Sequence, residues 1–244
     1  MHGVYDWFSW LNDQGWINLS IIYDGFDRRR FIGGLLMTLR LSGLSIALSL
    51  LLGIAGAWLQ GAQWRGVRWA VHGYVTAFRN TPPLIQLYFF FFGVGALLPQ
   101  LGGHVVVDAV SWAVIALALG AGAMNVEIFR SGIEAVPRTT LEAAEALGYG
   151  RLGAFIHVVL PLAMRVCLPA LTNNLVNLVK TTTLAYAIAV PELLYVSAQI
   201  WSEQLNVREM MVVLLFAYLI IVGVVVVAMG GVERALRLPG QGKP

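Results

Sequence analysis

The sequence predicts an all-α integral membrane protein with about five transmembrane helices, on three observations. Apolar residues make up 58% of the 244 and charged residues only 12%, and the apolar ones run in long blocks rather than short amphipathic bursts. Crossing the hydrocarbon layer takes about 20 mostly apolar residues, and five blocks meet that requirement: 32–59, 83–100, 109–128, 163–190 and 210–230. The loops between them are short, without repeat, low-complexity tract or linker, so the chain reads as one membrane domain over 31–232 with no room for a soluble catalytic one.

The start, "MHGVYDWFSWLNDQGW", lacks the basic region and unbroken apolar run of a cleaved signal. Its tryptophans, interleaved with Asp6 and Asp13, favour the headgroup level. Residues 1–30 therefore read as a retained interfacial segment. The basic residues then set the orientation. Arg65 and Arg68 follow the first block, Arg79 precedes the second, Arg130, Arg138 and Arg151 follow the third, and Arg234, Arg237 and Lys243 follow the last. With those loops inside, the N-terminus is external and the tail 233–244 cytoplasmic. Arg28, Arg29 and Arg30 in "DRRRF" stand against that orientation, softened by Asp24 and Asp27.

Pro82 and Pro83 break the helix where the second block begins, as a hinge or packing corner rather than a binding site. After the third block comes "EAAEALGYGRLGAFIHVVLP", which opens like a soluble surface helix. Pro137 suits a helix start, Thr139 and Glu142 have the spacing of a capping box, and Gly148 can end the helix, giving about 140–147. Ala143, Ala144, Ala146 and Gly148 let another backbone come close, and Glu142 and Glu145 stay available to solvent or a basic partner. The pattern suits either docking into a groove or an amphipathic connector lying on the bilayer.

The fourth block carries Asn173, Asn177, Lys180 and Thr181 on one helical face, with Arg165 eight residues before Asn173. A helix facing only lipid would not carry that stripe. It either lines a substrate path, its amides and Lys180 meeting the charged groups of a solute, or glues helices together. Arg40, beside Thr38 and Ser42, is a second costly charge in the membrane, suited to a substrate carboxylate or to pairing with Glu127 or Glu192. Cys167 lies alone in an apolar block and reads as a small packing residue.

Several functions lack their residues. The net charge of +3 gathers into no basic patch free of the membrane blocks, which argues against nucleic acid. His2, His72, His104 and His157 are scattered without metal-ligand spacing, and no nucleophile elbow or cysteine–histidine pair is present. No G-x-x-x-x-G-K-[ST] phosphate loop exists, so any ATP must be hydrolysed by another polypeptide.

Glu142-Ala143-Ala144, three residues, Gly148, nine residues, then Val158-Val159-Leu160-Pro161 resembles the EAA loop of membrane subunits of ATP-binding-cassette (ABC) importers. The resemblance covers nearly the whole chain and is closest to permeases for polar amino acids, through "GGLLMTLRLS", "RNTPPLIQLYFFFFG", "EIFRSGIEAVP", "LPALTNNLVNLVKTTTL" and "VERALRLPG". Asn80, Pro83, Ser131 and Thr139-Thr140 depart from the family's usual residues.

The resemblance implies the type I importer permease fold, in the bacterial inner membrane, with a cytoplasmic coupling helix between spans 3 and 4 inside the loop 137–161. Glu142, Ala143, Ala144 and Gly148 would then seat in a cleft of a cytoplasmic ATPase dimer, which uses ATP and Mg; this chain itself carries no cofactor. The other implied partners are a second permease subunit, identical or homologous, and an extracytoplasmic solute-binding protein. Arg40, Asn173, Asn177, Lys180 and Thr181 would line the path of a polar amino acid, with a lean to glutamate, aspartate or their amides from the tail "VERALRLPG". The competing reading is a self-sufficient secondary carrier, against which stands the absence of an inverted repeat.

Overall fold

The computed structural model describes residues 2–97 and 107–235. The end of the second block, the loop with His104, and Arg237 and Lys243 lie outside the described residues. Among the described residues, regular structure is helical throughout: α1 (His2–Asp13), α2 (Gly25–Gln60), α3 (Arg65–Arg79), α4 (Pro83–Leu97), α5 (Ala109–Glu134), α6 (Arg138–Ala146), α7 (Phe155–Ile188), α8 (Leu193–Gln204) and α9 (Val207–Ala235).

Four of these, α2, α5, α7 and α9, are long and apolar enough to cross a membrane, while α4 is a shorter apolar helix as far as it is described. Of the five expected spans, four are long helices among the described residues, and the second block is described only as the shorter helix α4. The most apolar stretch of α9 is only 17% buried. Its Leu215, Phe216, Leu219, Ile220 and Val227 are all exposed, which suits lipid and not water.

Helix ends follow local chemistry. Asp108 starts α5 by accepting from the Ser111 amide at 3.3 Å and from the Ser111 hydroxyl, and that hydroxyl holds the Asp108 carboxyl below its ordinary range. Glu192 caps α8 by accepting from the Leu194 and Tyr195 amides at 2.9 and 2.8 Å. Pro83 is the first residue of α4, where its missing N–H costs nothing. Within α4 the run Phe89–Val94 widens to a π-helix, and α7 opens with another at Phe155–Val159 and closes as a 3-10 turn at Thr182–Ile188.

Two stretches between the expected blocks are helices. Residues 195–209 lie mostly in α8, which buries Val196 and Ile200. The polar residues 65–79 form α3, which buries Val71 and Val75. The first span also starts earlier than expected, because its arginines find partners. Arg30 reaches Glu203 at 2.6 and 2.9 Å and Gln199 at 3.1 Å, while Arg28 donates to the Ile22 carbonyl at 3.2 Å.

The chain divides into two compact units. The first, Met1–Ser45, Pro83–Leu117 and Val179–Val222, is built on Leu41, Leu87, Ala113, Ala116, Ala185, Ile188 and Val190. Here α1 buries Leu11 and exposes Trp7 and Trp10. The second, Ile46–Pro82, Ala118–Leu178 and Gly223–Pro244, packs Phe129, Cys167, Leu171 and Leu175 together. Cys167 is a packing residue, as expected: its thiol donates to the Ile128 carbonyl at 3.2 Å, and any Cβ on Gly132 would strike its sulfur.

Candidate functional site

Helix α6, nine residues long, lies between two spans, and its geometry explains which of its residues are presented. Pro137 is the N-cap, with ψ 138°, and no side chain caps the helix. The expected capping box does not form: the proline fixes the boundary one residue before Arg138, which leaves Thr139 inside the first turn, too far along to reach the N3 amide of its own cap. The C-terminal end is as the sequence indicates and better defined. Gly148 takes φ +89°, its amide donates to the Glu145 carbonyl at 3.0 Å, and the Tyr149 amide donates to Ala144 at 3.1 Å. These are the two bonds of a Schellman close, which needs a left-handed residue and so favours glycine.

The four expected docking residues divide. Glu142, Ala143 and Gly148 are exposed, and neither Glu142 nor Glu145 makes an ion pair among the described residues. Ala144 is buried at 3%, so its small side chain seats the helix on the chain's own surface. Leu147, which the sequence reading passed over, is 81% exposed immediately before Gly148. A large apolar side chain so presented at a helix end is a natural knob for a partner's cleft, and only its place next to the C-cap glycine marks it in the sequence.

The stripe on α7 is presented too. Asn173, Asn177 and Lys180 are exposed and Thr181 half-buried. Lys180 makes no ion pair among the described residues. Arg165 is half-buried with its Nε unsatisfied. The polar residue that does join helices is Asn174, donating to Asn125 Oδ1 at 2.8 Å and to the Ala121 carbonyl at 3.0 Å.

Arg40 is exposed on α2 while its neighbours Thr38 and Ser42 are buried, so the three do not form one cluster. Nor is Arg40 paired as expected. Glu192 is taken up by its capping bonds and by the Tyr218 hydroxyl at 3.0 Å, and Glu127 by Arg130 at 2.8 Å, Arg79 at 3.8 Å and Gln60 at 3.4 Å.

A long-spanned helical chain with a short exposed helix between two spans has a recognisable counterpart. Residues 49–238 match the family described as the binding-protein-dependent transport system inner membrane component. The chain belongs to this family. This inner membrane component is 30% identical over 205 residues to the probable glutamine ABC transporter permease protein GlnM of Bacillus subtilis, covering 84% of this chain and 91% of that protein. It is 35% identical over 174 residues to the L-cystine transport system permease protein TcyB of the same species, covering 71% and 72%. A crystal structure of an amino acid ABC transporter with histidines superposes at TM-score 0.75 with 28% identity, covering 85% of this chain and 94% of that one. The fold is that of the type I importer permeases, and the resemblance to amino-acid ABC permeases drawn from the motifs holds.

Proposed function

We propose that this inner-membrane permease moves a polar amino acid inward, with a lean to glutamate, aspartate or their amides, driven by ATP hydrolysis on separate ATPase subunits. The observation that carries it is α6. A short helix seated by Ala144 holds Glu142, Ala143, Leu147 and Gly148 outward between two spans, which is the shape of a helix that enters a partner's cleft. Closure of a cytoplasmic ATPase dimer using ATP and Mg pushes on α6 and through it on α5 and α7, switching the spans between inward- and outward-open states. A second permease subunit completes the translocation path, and an extracytoplasmic solute-binding protein delivers the amino acid. The exposed stripe Asn173, Asn177, Lys180 and Thr181, together with Arg40, supplies amide and cationic groups to that path. The glutamine and cystine permeases among the relatives support amino-acid cargo.

The test is purification of the chain from its native membrane in mild detergent, followed by reconstitution and ATP-driven uptake. A phosphate-loop ATPase is expected to accompany the wild type and to be lost with Gly148→Asp, along with uptake. Because Gly148 is left-handed, that variant also costs about 1 kcal/mol in the backbone. Leu147→Asp, at a residue with φ −78°, is the companion free of backbone strain and is expected to behave alike. ATP-driven uptake surviving in both variants would overturn the coupling role, and a chain that purifies alone and carries amino acid without ATP would be a secondary carrier.

A further inference from the structure

The second unit holds an open polar cavity of about 640 Å³ that the stripe does not line. Its wall is the exposed face of α3, with Arg68, His72, Thr76 and Arg79, closed by Asn80, by Gln60 at the end of α2, and by Glu127 and Arg130 of α5. The sequence placed none of these in a site except as topology markers. They come from three helices, and only folding gathers them.

The cavity is amphoteric, and that property narrows what it can hold. Glu127 stands on one side as the acid, fixed by Arg130 at 2.8 Å, which is itself held by Glu134 at 2.7 Å. Beside Glu127, Gln60 has a buried Oε1 without a hydrogen-bond donor. A buried acceptor left unpaired costs roughly 1–3 kcal/mol, and what satisfies it is an N–H or O–H from a ligand or water. On the other side Arg79 is 47% exposed and only loosely paired, its Nη1 3.8 Å from Glu127. Arg68 spends Nη1 on the Ala62 and Gln63 carbonyls. An acid, an amide acceptor and guanidiniums line the one cavity, a mixture that suits a ligand carrying charge of both signs. A bare anion meets Glu127 and the lone pair of Gln60, a metal ion meets three arginines, and an organic cation leaves the arginines unanswered.

We propose that this cavity binds a free amino-acid zwitterion, its α-ammonium on Glu127 and Gln60 and its α-carboxylate on Arg79 and Arg68. The ligand enters between Arg79 and Glu127, exchanging their loose contact for two charge-assisted hydrogen-bonded ones. The volume lies within the range of ordinary small-molecule sites, roughly 300–1,000 Å³. The location gives the site its meaning, and here the inference rests on the importer reading above. Glu127 and Arg130 come seven and four residues before the end of α5 at Glu134, so roughly 6–11 Å along the helix from that end at 1.5 Å per residue. Since α6 follows immediately at Arg138, the cavity opens near the membrane face on which the ATPases act. It is a release-side station, separate from the stripe, that cargo meets last and that free amino acid in the cytoplasm can refill.

The test uses the full complex in lipid nanodiscs, dialysed to equilibrium against an equimolar mixture of the twenty standard L-amino acids, with retained amino acids quantified by mass spectrometry. Succinate, which has no ammonium, and 1,4-diaminobutane, which has no carboxylate, serve as competitors. Arg79→Gln is expected to weaken the retention by about tenfold, the loss of one hydrogen bond to a charged group, and neither competitor should displace the amino acid. Because Arg79→Gln also touches Glu127, Thr76→Phe fills the cavity from an exposed position without disturbing the ion pairs, and it should weaken retention at least as much. Retention unchanged in Thr76→Phe, or equal displacement by succinate, overturns the zwitterion site. ATP-driven uptake is read on the same wild-type complex reconstituted into sealed liposomes: uptake combined with variant-insensitive retention overturns the cavity site alone, whereas no ATP-driven uptake overturns the importer reading beneath it.

Discussion

Asn173 and Asn174 are chemically identical neighbours on α7, about 100° apart around the helix, and they lead opposite lives. Asn174 donates to Asn125 Oδ1 and the Ala121 carbonyl, and Asn125 in turn donates to Ser49 Oγ at 3.2 Å, so one polar chain ties α7, α5 and α2. Asn173 is exposed on the face it shares with Asn177 and Lys180. In a membrane protein a polar residue is retained for one of two reasons, joining helices or serving something beyond the chain. The face on which it falls decides which. Composition cannot tell the two apart, but a hydrogen-bond partner can.

The largest effect should come from breaking the inward face. Asn174→Leu leaves Asn125 Oδ1 without its donor and removes the side-chain bond to the Ala121 carbonyl, in a part-buried site, at a cost of about 1–2 kcal/mol. Thermal unfolding in detergent is expected to show a midpoint lower by several degrees. Asn125→Leu should cost as much, since Asn125 is 0% exposed. The double variant should cost less than the sum, because removing both partners leaves fewer orphaned groups than removing one. Strict additivity would mean that the two asparagines are not coupled and that the contrast between the faces is overstated.

A smaller effect on stability, but a clear one on function, is expected at Lys180. Lys180→Ala should assemble normally and unfold at the wild-type temperature, while amino-acid stimulation of ATP hydrolysis falls severalfold. Unchanged stimulation would make Lys180 a contact for a neighbouring helix.

What could be read beforehand followed the range of the signal. Span lengths are a property of consecutive residues, so four of the five blocks matched long helices. The C-cap at Gly148 is equally local and was legible. The N-cap was misread because T-x-x-E spacing occurs by chance as well as by design, and Pro137 had already set the boundary. Helix α3 went unread because its arginines served as topology markers, although Val67, Val71, Val75 and Phe78 recur at helical spacing. The stripe was visible because one helix carries all of it. The Ser49–Asn125–Asn174 chain was not, since its links join residues 76 and 49 positions apart. The cavity of Gln60, Arg79 and Glu127 was hidden for the same reason.

The smallest structural effect sharpens the comparison most. Asn173→Ala removes an amide chemically equal to that of Asn174, one residue away, so differences in helix propensity and unfolded-state behaviour largely cancel between the two positions. Exposed as it is, Asn173 should change the unfolding free energy by no more than about 0.5 kcal/mol. If its amide serves the translocation path, uptake should slow while the unfolding midpoint stays at the wild-type value. A fall in stability comparable to that of Asn174→Leu, measured in the assembled complex, would place Asn173 in a contact between permease subunits. The exposed stripe would then be an interface, and the path would have to be sought on α3 and α5, where the cavity already gathers charge of both signs.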